Sequence, residues 1–281
     1  MLAIIIPYYK LAFFEATLQS LAKQTDKRFK VYIGDDASPE DCNALLKKFE
    51  GSFDFKYHRF ETNLGGTSLS KQWERCIAMS SNEEWIMILG DDDWLSDNVV
   101  EEFYKNLNSI KNKYNVIRFA TKLFFSNKQE YSNTYHHPIE EKYAETYLKK
   151  LKGTTRSSLS ENIFKRKMYT KHGFYNYPLA WNSDDRAWFD FSESKPIFTI
   201  NEAIVYVSVS EGSISGMDTN LEIKNRSQVL FYSYLLWRFK LNFTQKVEIS
   251  YLILTLQKNS VSYFTRLHAR ILIKISRILN T

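Results

Sequence analysis

Apolar and polar positions along the chain alternate between two periods. Short apolar runs predict strands at 2–6, stopped by Pro7, and at 29–34, 55–60, 85–89 and 116–120. Apolar residues at helical spacing predict helices over 13–21, 42–49, 69–79 and about 97–110. Ser38-Pro39-Glu40-Asp41 supplies the second helix with a Ser cap, Pro at its first position and an acid at the third. Asn63-Leu64-Gly65-Gly66-Thr67-Ser68 breaks the chain before the third. Strands alternating with helices predict an α/β fold, a Rossmann-like, mainly parallel sheet with right-handed crossovers and helices on both faces. After Phe125 the chain turns polar and irregular through His137-Pro138, the pattern of a long surface connection. Residues 162–165 read as a strand, 181–189 as a loop turning helical, and 197–209 as one or two strands. From Leu221 apolar residues return at helical spacing with basic residues between them, which predicts a helical C-terminal extension.

Two of these strands end in acids. Trp85-Ile86-Met87-Ile88-Leu89 runs into Gly90-Asp91-Asp92-Asp93-Trp94, and the strand ending at Gly34 runs into Asp35-Asp36. A buried strand delivers such charges to the carboxyl edge of its sheet, where open α/β folds bind ligands. Adjacent carboxylates repel one another and are tolerated beside a cation or in full solvent. Oxygen ligands suit Mg²⁺ or Mn²⁺, which in turn holds a diphosphate. The plain alternative is a solvated turn in which an Asp caps the next helix.

The 281 residues suffice for one large α/β domain with an appendage, and 44% hydrophobic content permits a substantial core. Eighteen Tyr and twenty Phe exceed what packing usually needs, and such an excess can line sugar-stacking surfaces. Cys42 and Cys76 give neither a disulfide framework nor metal-ligand spacing, which fits a reducing cytoplasm. No signal-peptide pattern and no run near the ~18 apolar residues of a membrane span occurs, so the chain is expected to be neither secreted by that route nor integral. The net charge of +6 is unevenly spread: residues 221–281 hold ten Lys or Arg against two acids, a net of +8, and the rest carries −2. The tail is therefore the part expected to meet an anionic partner.

Ile4-Ile5-Ile6-Pro7-Tyr8-Tyr9, Leu18-Gln19-Ser20-Leu21 with Gln24-Thr25, Gly34-Asp35-Asp36-Ala37-Ser38, Asn63-Leu64-Gly65 and Leu89-Gly90-Asp91-Asp92-Asp93-Trp94-Leu95 follow one another in an order that resembles the family 2 glycosyltransferases of the GT-A fold. Ser183-Asp184-Asp185-Arg186-Ala187-Trp188 is a weaker match, and the resemblance spans roughly residues 1–215. It implies a catalytic domain over 1–220, with a nucleotide-sugar half at about 1–120 and an acceptor half at about 121–220, followed by the basic extension 221–281. It implies an inverting transfer from a nucleoside-diphosphate sugar, expected to be UDP-linked, to a hydroxyl of a saccharide or lipid-linked acceptor in surface polysaccharide or lipooligosaccharide synthesis. By the resemblance, Pro7, Tyr9 and Asp36 contact the base, Asp91 lies at the ribose, Asp92 holds Mn²⁺ or Mg²⁺, and Asp93 is a second ligand or a helix cap. Asp184 falls at the position of the base that deprotonates the acceptor, with Asp185 as its competitor. Trp181 is the preferred stacking residue for the acceptor, and Phe174, Tyr175, Tyr177 and Trp188 are further aromatics nearby.

The chain departs from the family pattern in two places. The late His or Arg that aids the metal or pyrophosphate is missing, leaving Ser210, Ser213 and Ser215 as possible phosphate donors. The segment after Asn63 lacks its usual Arg, so Lys71 stands in as a phosphate contact. The pair His136-His137 reads as a solvated loop. Competing readings are a sugar nucleotidyltransferase, whose Gly-rich loop is missing after the first strand, and a non-catalytic carbohydrate- or membrane-binding module on the same fold. No nucleic-acid module is recognisable, so nucleic acid is not an expected partner. The expected location is cytoplasmic, peripheral on the inner face of the membrane through the tail, with a homodimer left open.

Overall fold

The computed structural model describes residues 1–210, 220–239, 241–256 and 263–279. In chain order the elements are β1 (Leu2–Tyr8), α1 (Phe14–Ala22), β2 (Phe29–Asp35), α2 (Asn43–Lys48), β3 (Phe55–Arg59), α3 (Leu69–Ile77), β4 (Trp85–Ile88), β5 (Trp94–Leu95) and α4 (Val99–Ile110). They continue through β6 (Val116–Phe125), β7 (Glu130–Tyr131), β8 (Glu140–Lys142), α5 (Tyr143–Leu151), β9 (Asn162–Lys165), α6 (Arg166–His172), a 3-10 turn at Pro178–Ala180, α7 (Ser183–Ser192) and β10 (Pro196–Val209). Helices α8 (Leu221–Arg238), α9 (Phe243–Leu256) and α10 (Tyr263–Leu279) follow.

One sheet runs in the order β3-β2-β1-β4-β9-β6-β10-β5. The expected mainly parallel arrangement is borne out for its long strands, with β9 inserted antiparallel between β4 and β6. Both faces are covered, which explains why the strand sequences are nearly all apolar. Leu2, Ile4, Ile6 and Tyr8 enter a core shared with α1, α2 and α4, while Ala3 and Ile5 enter a second core. β10 is one long strand rather than two, bulged between Ile200 and Ile204, and it pairs with β8 before the bulge and with β5 after it.

Register positions the acids. Tyr8 pairs with Asp35, and Ile5 pairs with Ile88, so Asp35-Asp36 and Gly90-Asp91 emerge at the same carboxyl edge as the end of β1. Three local expectations change. Ser38 does not cap α2, which begins at Asn43; its hydroxyl donates to the Tyr9 carbonyl and accepts from the Glu40 N–H. Helices α5 and α6 lie where no helix is expected, because their polar faces obscure the periodicity. His137 is buried rather than solvated, and burial with the Arg118 charge pushes its pKa down to about 4.

The C-terminal helices are not a detached appendage. Phe231, Tyr232, Leu235 and Leu236 of α8, with Ile249 and Ile253 of α9, are part of the second core beside α5 and α7. Burying each such side chain stabilises by about 1.5–3 kcal/mol, which fixes α8 on the body. Helix α9 packs against both α8 and α10.

Candidate active site

At the end of β4 the three carboxylates have three different surroundings. Asp91 Oδ2 accepts the Tyr9 and Lys10 N–H groups, each at 2.7 Å, and so ties down the loop after β1. Burial and the neighbouring Asp92 charge raise its pKa to about 7. Asp93 is buried, its Oδ1 accepting the Ser208 N–H at 2.8 Å and its Oδ2 the Ser160 hydroxyl. Burial, then the Asp92 charge, pushes its pKa up to about 8. It caps no helix, since α4 starts from Asn98, and the expectation of a second metal ligand meets a carboxylate whose two oxygens already have donors. Asp92 is the exception: no other described residue hydrogen-bonds its carboxylate, whose pKa is raised by burial against the lowering effect of Lys10. Among the described residues no group of three or more His, Cys, Asp or Glu gathers as a ready metal cage.

Beside these acids lie the ends of β1 to β3. Pro7 is half-buried and Tyr9 is 37% exposed at the open edge. Asp36 is buried; its oxygens accept the Leu64 N–H at 2.7 Å and the Gly65 N–H at 2.8 Å, and it pairs with Arg75. A Cβ on Gly65 would stand 2.5 Å from Asp36 Oδ2, so only glycine permits this approach. Asp35 is wholly structural in its contacts, accepting from Ser38 N–H, the Tyr57 hydroxyl and Arg59. Lys71 projects outward and pairs with Glu74 at 2.6 Å, whereas Arg75, one turn later on α3, reaches Asp36 and lies 3.8 Å from the Phe60 ring centroid. Arg75, which no motif in the sequence singles out, is the cation that meets Asp36, and its i,i+4 spacing from Lys71 is the signal that could have found it.

The second acid pair opens α7. Asp185 is buried and saturated: Oδ1 accepts Tyr143 Oη at 2.6 Å and Lys150 Nζ at 2.8 Å, and Oδ2 accepts Asn182 Nδ2 at 2.7 Å. Asp184 is half-buried and no side chain among the described residues bonds its carboxylate; burial and the adjacent Asp185 charge raise its pKa to about 7 against the pull of Lys150. A carboxylate with that pKa suits proton transfer near neutrality. Trp181 lies under Lys224 Nζ of α8, 4.6 Å from its ring centroid. Phe174, Tyr177 and Trp188 are core residues, while Tyr175 is exposed and stacked under Arg186.

A segment with no recognisable motif joins the two acid clusters. Ser160 Oγ meets both Asp93 and the Gly90 N–H, the latter at 3.1 Å, while adjacent Glu161 acts on the Asp184 charge. Glu161 is itself buried, yet Arg156 and the Ser158 bonds hold its pKa below the usual carboxylate value. Of the late serines, Ser210 is in the structure, and Ser213 and Ser215 lie outside the described residues.

The sequence model of glycosyl transferase family 2 matches residues 3–176. A glycosyltransferase of Haemophilus influenzae described as uncharacterized is 36% identical over 94 residues, a stretch covering 33% of this chain and 30% of that protein. The chain thus spans about 30% of the length of that curated relative. The crystal structure of S. aureus TarS 1-349 in complex with UDP-GlcNAc matches 91% of this chain and 72% of its own at a TM-score of 0.69 and 17% identity. A crystal structure of S. aureus TarS matches 90% of this chain and 42% of its own at a TM-score of 0.64 and 16% identity. These likenesses establish the fold as GT-A-like. With the family pattern covering residues 3–176, more than half of a chain whose Asp35-Asp36 and Gly90-Asp91 emerge at one sheet edge, the protein belongs to glycosyl transferase family 2.

Proposed function

We propose that the chain transfers a sugar, with inversion, from a UDP-linked donor to a hydroxyl of a saccharide or lipid-linked acceptor. One observation carries the reading: among the described residues one carboxylate of each acid cluster, Asp92 after β4 and Asp184 at the start of α7, is held by no donor from another segment, while its neighbours are tied down. Pro7 and Tyr9 form the base-binding edge, with Asp36 bracing it through its bonds to Leu64, Gly65 and Arg75 and Asp91 holding the loop that carries Tyr9 next to the ribose. The neighbouring structure that binds UDP-GlcNAc supports a UDP sugar as donor.

Asp92 fits a divalent cation, because a half-buried carboxylate that no other described residue bonds is stabilised by one, and a hard oxygen donor suits Mg²⁺ or Mn²⁺. When bound, such an ion offsets charge on the departing diphosphate. Asp93 keeps the Asp92 segment in place. Asp184 takes the proton from the acceptor hydroxyl, whose oxygen bonds to the anomeric carbon as the bond to the diphosphate breaks on the opposite side. Asp185 and Lys150 keep Asp184 in this position, and Trp181 offers a ring face to the acceptor. Screening nucleotide sugars for thermal stabilisation with Mn²⁺, then assaying UDP release, tests the reading: a UDP sugar should stabilise the protein by mass action, and absence of any Mn²⁺-dependent UDP binding removes it.

The chain acts at a membrane surface in a polysaccharide or lipooligosaccharide pathway. No helix among the described residues is long and apolar enough to cross a membrane. On α10, Leu267, Ile271, Ile275 and Leu279 are exposed at a spacing of one turn, and exposed Arg270 and Lys274 border them, which supports an interfacial role. Each basic group near an anionic bilayer adds about 1 kcal/mol. The full chain should pellet with anionic but not neutral vesicles at low salt, and equal pelleting with both ends this proposal.

A further inference from the structure

The turn leading into α7 has an unusual backbone. Leu179, Ala180 and Asn182 have φ of 59°, 51° and 67°, all left-handed, and none is glycine. A Cβ makes that region sterically disfavoured, so three such residues within four positions persist only where surrounding structure enforces them. The turn closes on itself through the Ala180 N–H to Tyr177 carbonyl bond, Asn182 Nδ2 donates to Asp185, and α8 braces it from outside. Ser227 Oγ donates to the Pro178 carbonyl at 2.9 Å, and Lys224 places its ammonium 4.6 Å from the Trp181 ring centroid. The two residues stand three apart on one face of α8, and both are buried, Ser227 at 0% and Lys224 at 7% exposure. Below them Phe231 packs 6.1 Å from the Tyr177 ring, fixing the other end of the turn. All these α8 residues lie beyond the 3–176 stretch that the family pattern covers.

We propose that Ser227 and Lys224 are positioning residues for Asp184: they hold the 178–182 turn in its left-handed backbone and so fix where the first turn of α7 presents the Asp184 carboxylate. The inference rests on Asp184 being the base. It makes α8 a part of the acceptor site, and the turn a spring that this helix keeps loaded. Without the two contacts the turn relaxes toward right-handed or extended backbone, and Asp184 moves away from Asp185, Lys150 and Glu161, the charged groups that face it.

Carboxylate NMR of the full chain labelled with ¹³C-aspartate tests this without a substrate. The resonance missing from Asp184→Asn identifies Asp184, expected to titrate near 7 in the parent protein. In Ser227→Ala/Lys224→Met its midpoint should fall by about one unit or more as the carboxylate reaches water. Adding Leu179→Gly to that pair should return it toward the parent value, because glycine removes the Cβ penalty that drives position 179 out of the left-handed region. UDP release should follow the same order, with kcat about tenfold lower in the double variant and restored by the glycine, and donor KM unchanged. Should the double variant fold poorly by circular dichroism, Ser227→Ala alone is measured against Ser227→Thr, which keeps the hydroxyl and should match the parent. An unchanged Asp184 titration, or a shift that Leu179→Gly leaves in place, overturns the proposal. An Asp184→Asn enzyme with parental turnover instead removes the base reading itself.

Discussion

The donor edge and the acceptor edge solve one electrostatic problem with different materials. Each crowds carboxylates at the end of an element and leaves one of them open among the described residues. At the donor edge the restraints are mostly backbone: Tyr9, Lys10 and Ser208 N–H groups hold Asp91 and Asp93 around Asp92. At the acceptor edge they are side chains, with Tyr143, Lys150 and Asn182 holding Asp185 beside Asp184. Backbone donors follow from strand register and tolerate sequence change. Side-chain donors depend on a helix, a left-handed turn and α8 arriving together. The donor edge should therefore be robust to substitution around it, and the acceptor edge sensitive.

The largest expected effect tests the open donor acid. Asp92→Ala should abolish Mn²⁺-dependent UDP affinity in calorimetry and lower transfer by ~10³-fold or more, the scale of several kcal/mol of Lewis-acid stabilisation. Unchanged affinity would show that the open acid of this edge is not its functional one.

Asp184→Asn should retain UDP affinity and lose ~10²-fold in kcat. In the parent the rate should rise with pH through about 7 as Asp184 loses its proton, and that limb should vanish in the variant. If Asp185→Asn shows this pattern instead, the two acids exchange roles.

Asp185→Ala probes the acceptor restraints. It strands Lys150, Tyr143 and Asn182 without their shared acceptor, and breaking such a buried pair costs about 3 kcal/mol. Chemical unfolding should show this loss. A much smaller change would mean that the acceptor edge is as tolerant as the donor edge.

The smallest effect concerns Asp93. Its folded pKa near 8 lies above the ordinary 3.8, so the folded state binds a proton that the unfolded chain releases. Its contribution to stability is therefore greatest below pH 4 and is lost as pH rises toward 8. Asp93→Asn should raise the melting temperature by a few degrees at pH 8, change little at pH 4, and leave Mn²⁺-dependent UDP affinity intact. Loss of that affinity would make Asp93 a metal ligand after all.

Much of the donor half was legible because its signals are local. Apolar runs covered on both faces, and acids directly after them, are properties of consecutive residues; β2 and β4 fall within one residue of their expected bounds, and β1 runs two residues further, through Pro7 to Tyr8. Arg75 escaped notice because a cation on an amphipathic helix looks like any solvated charge until Asp36 is found against it. The acceptor half was legible only as a pair of acids. Nothing local in Ser183-Asp184-Asp185 distinguishes an open carboxylate from a saturated one, since Tyr143 and Lys150 lie more than thirty residues upstream.

The same division holds for the tail. Its basic excess and helical spacing were properties of composition, and they determined that helices follow residue 220. Tertiary structure decided that α8 joins the second core while α10 keeps an apolar stripe in the open. Sequence by itself determined the α/β alternation, the acids at strand ends and the charge of the tail, because periodicity and adjacency are encoded residue by residue. Which carboxylates stand free, which loop is held left-handed and which helix holds it were decided only by packing, because each depends on donors that folding brings from distant parts of the chain.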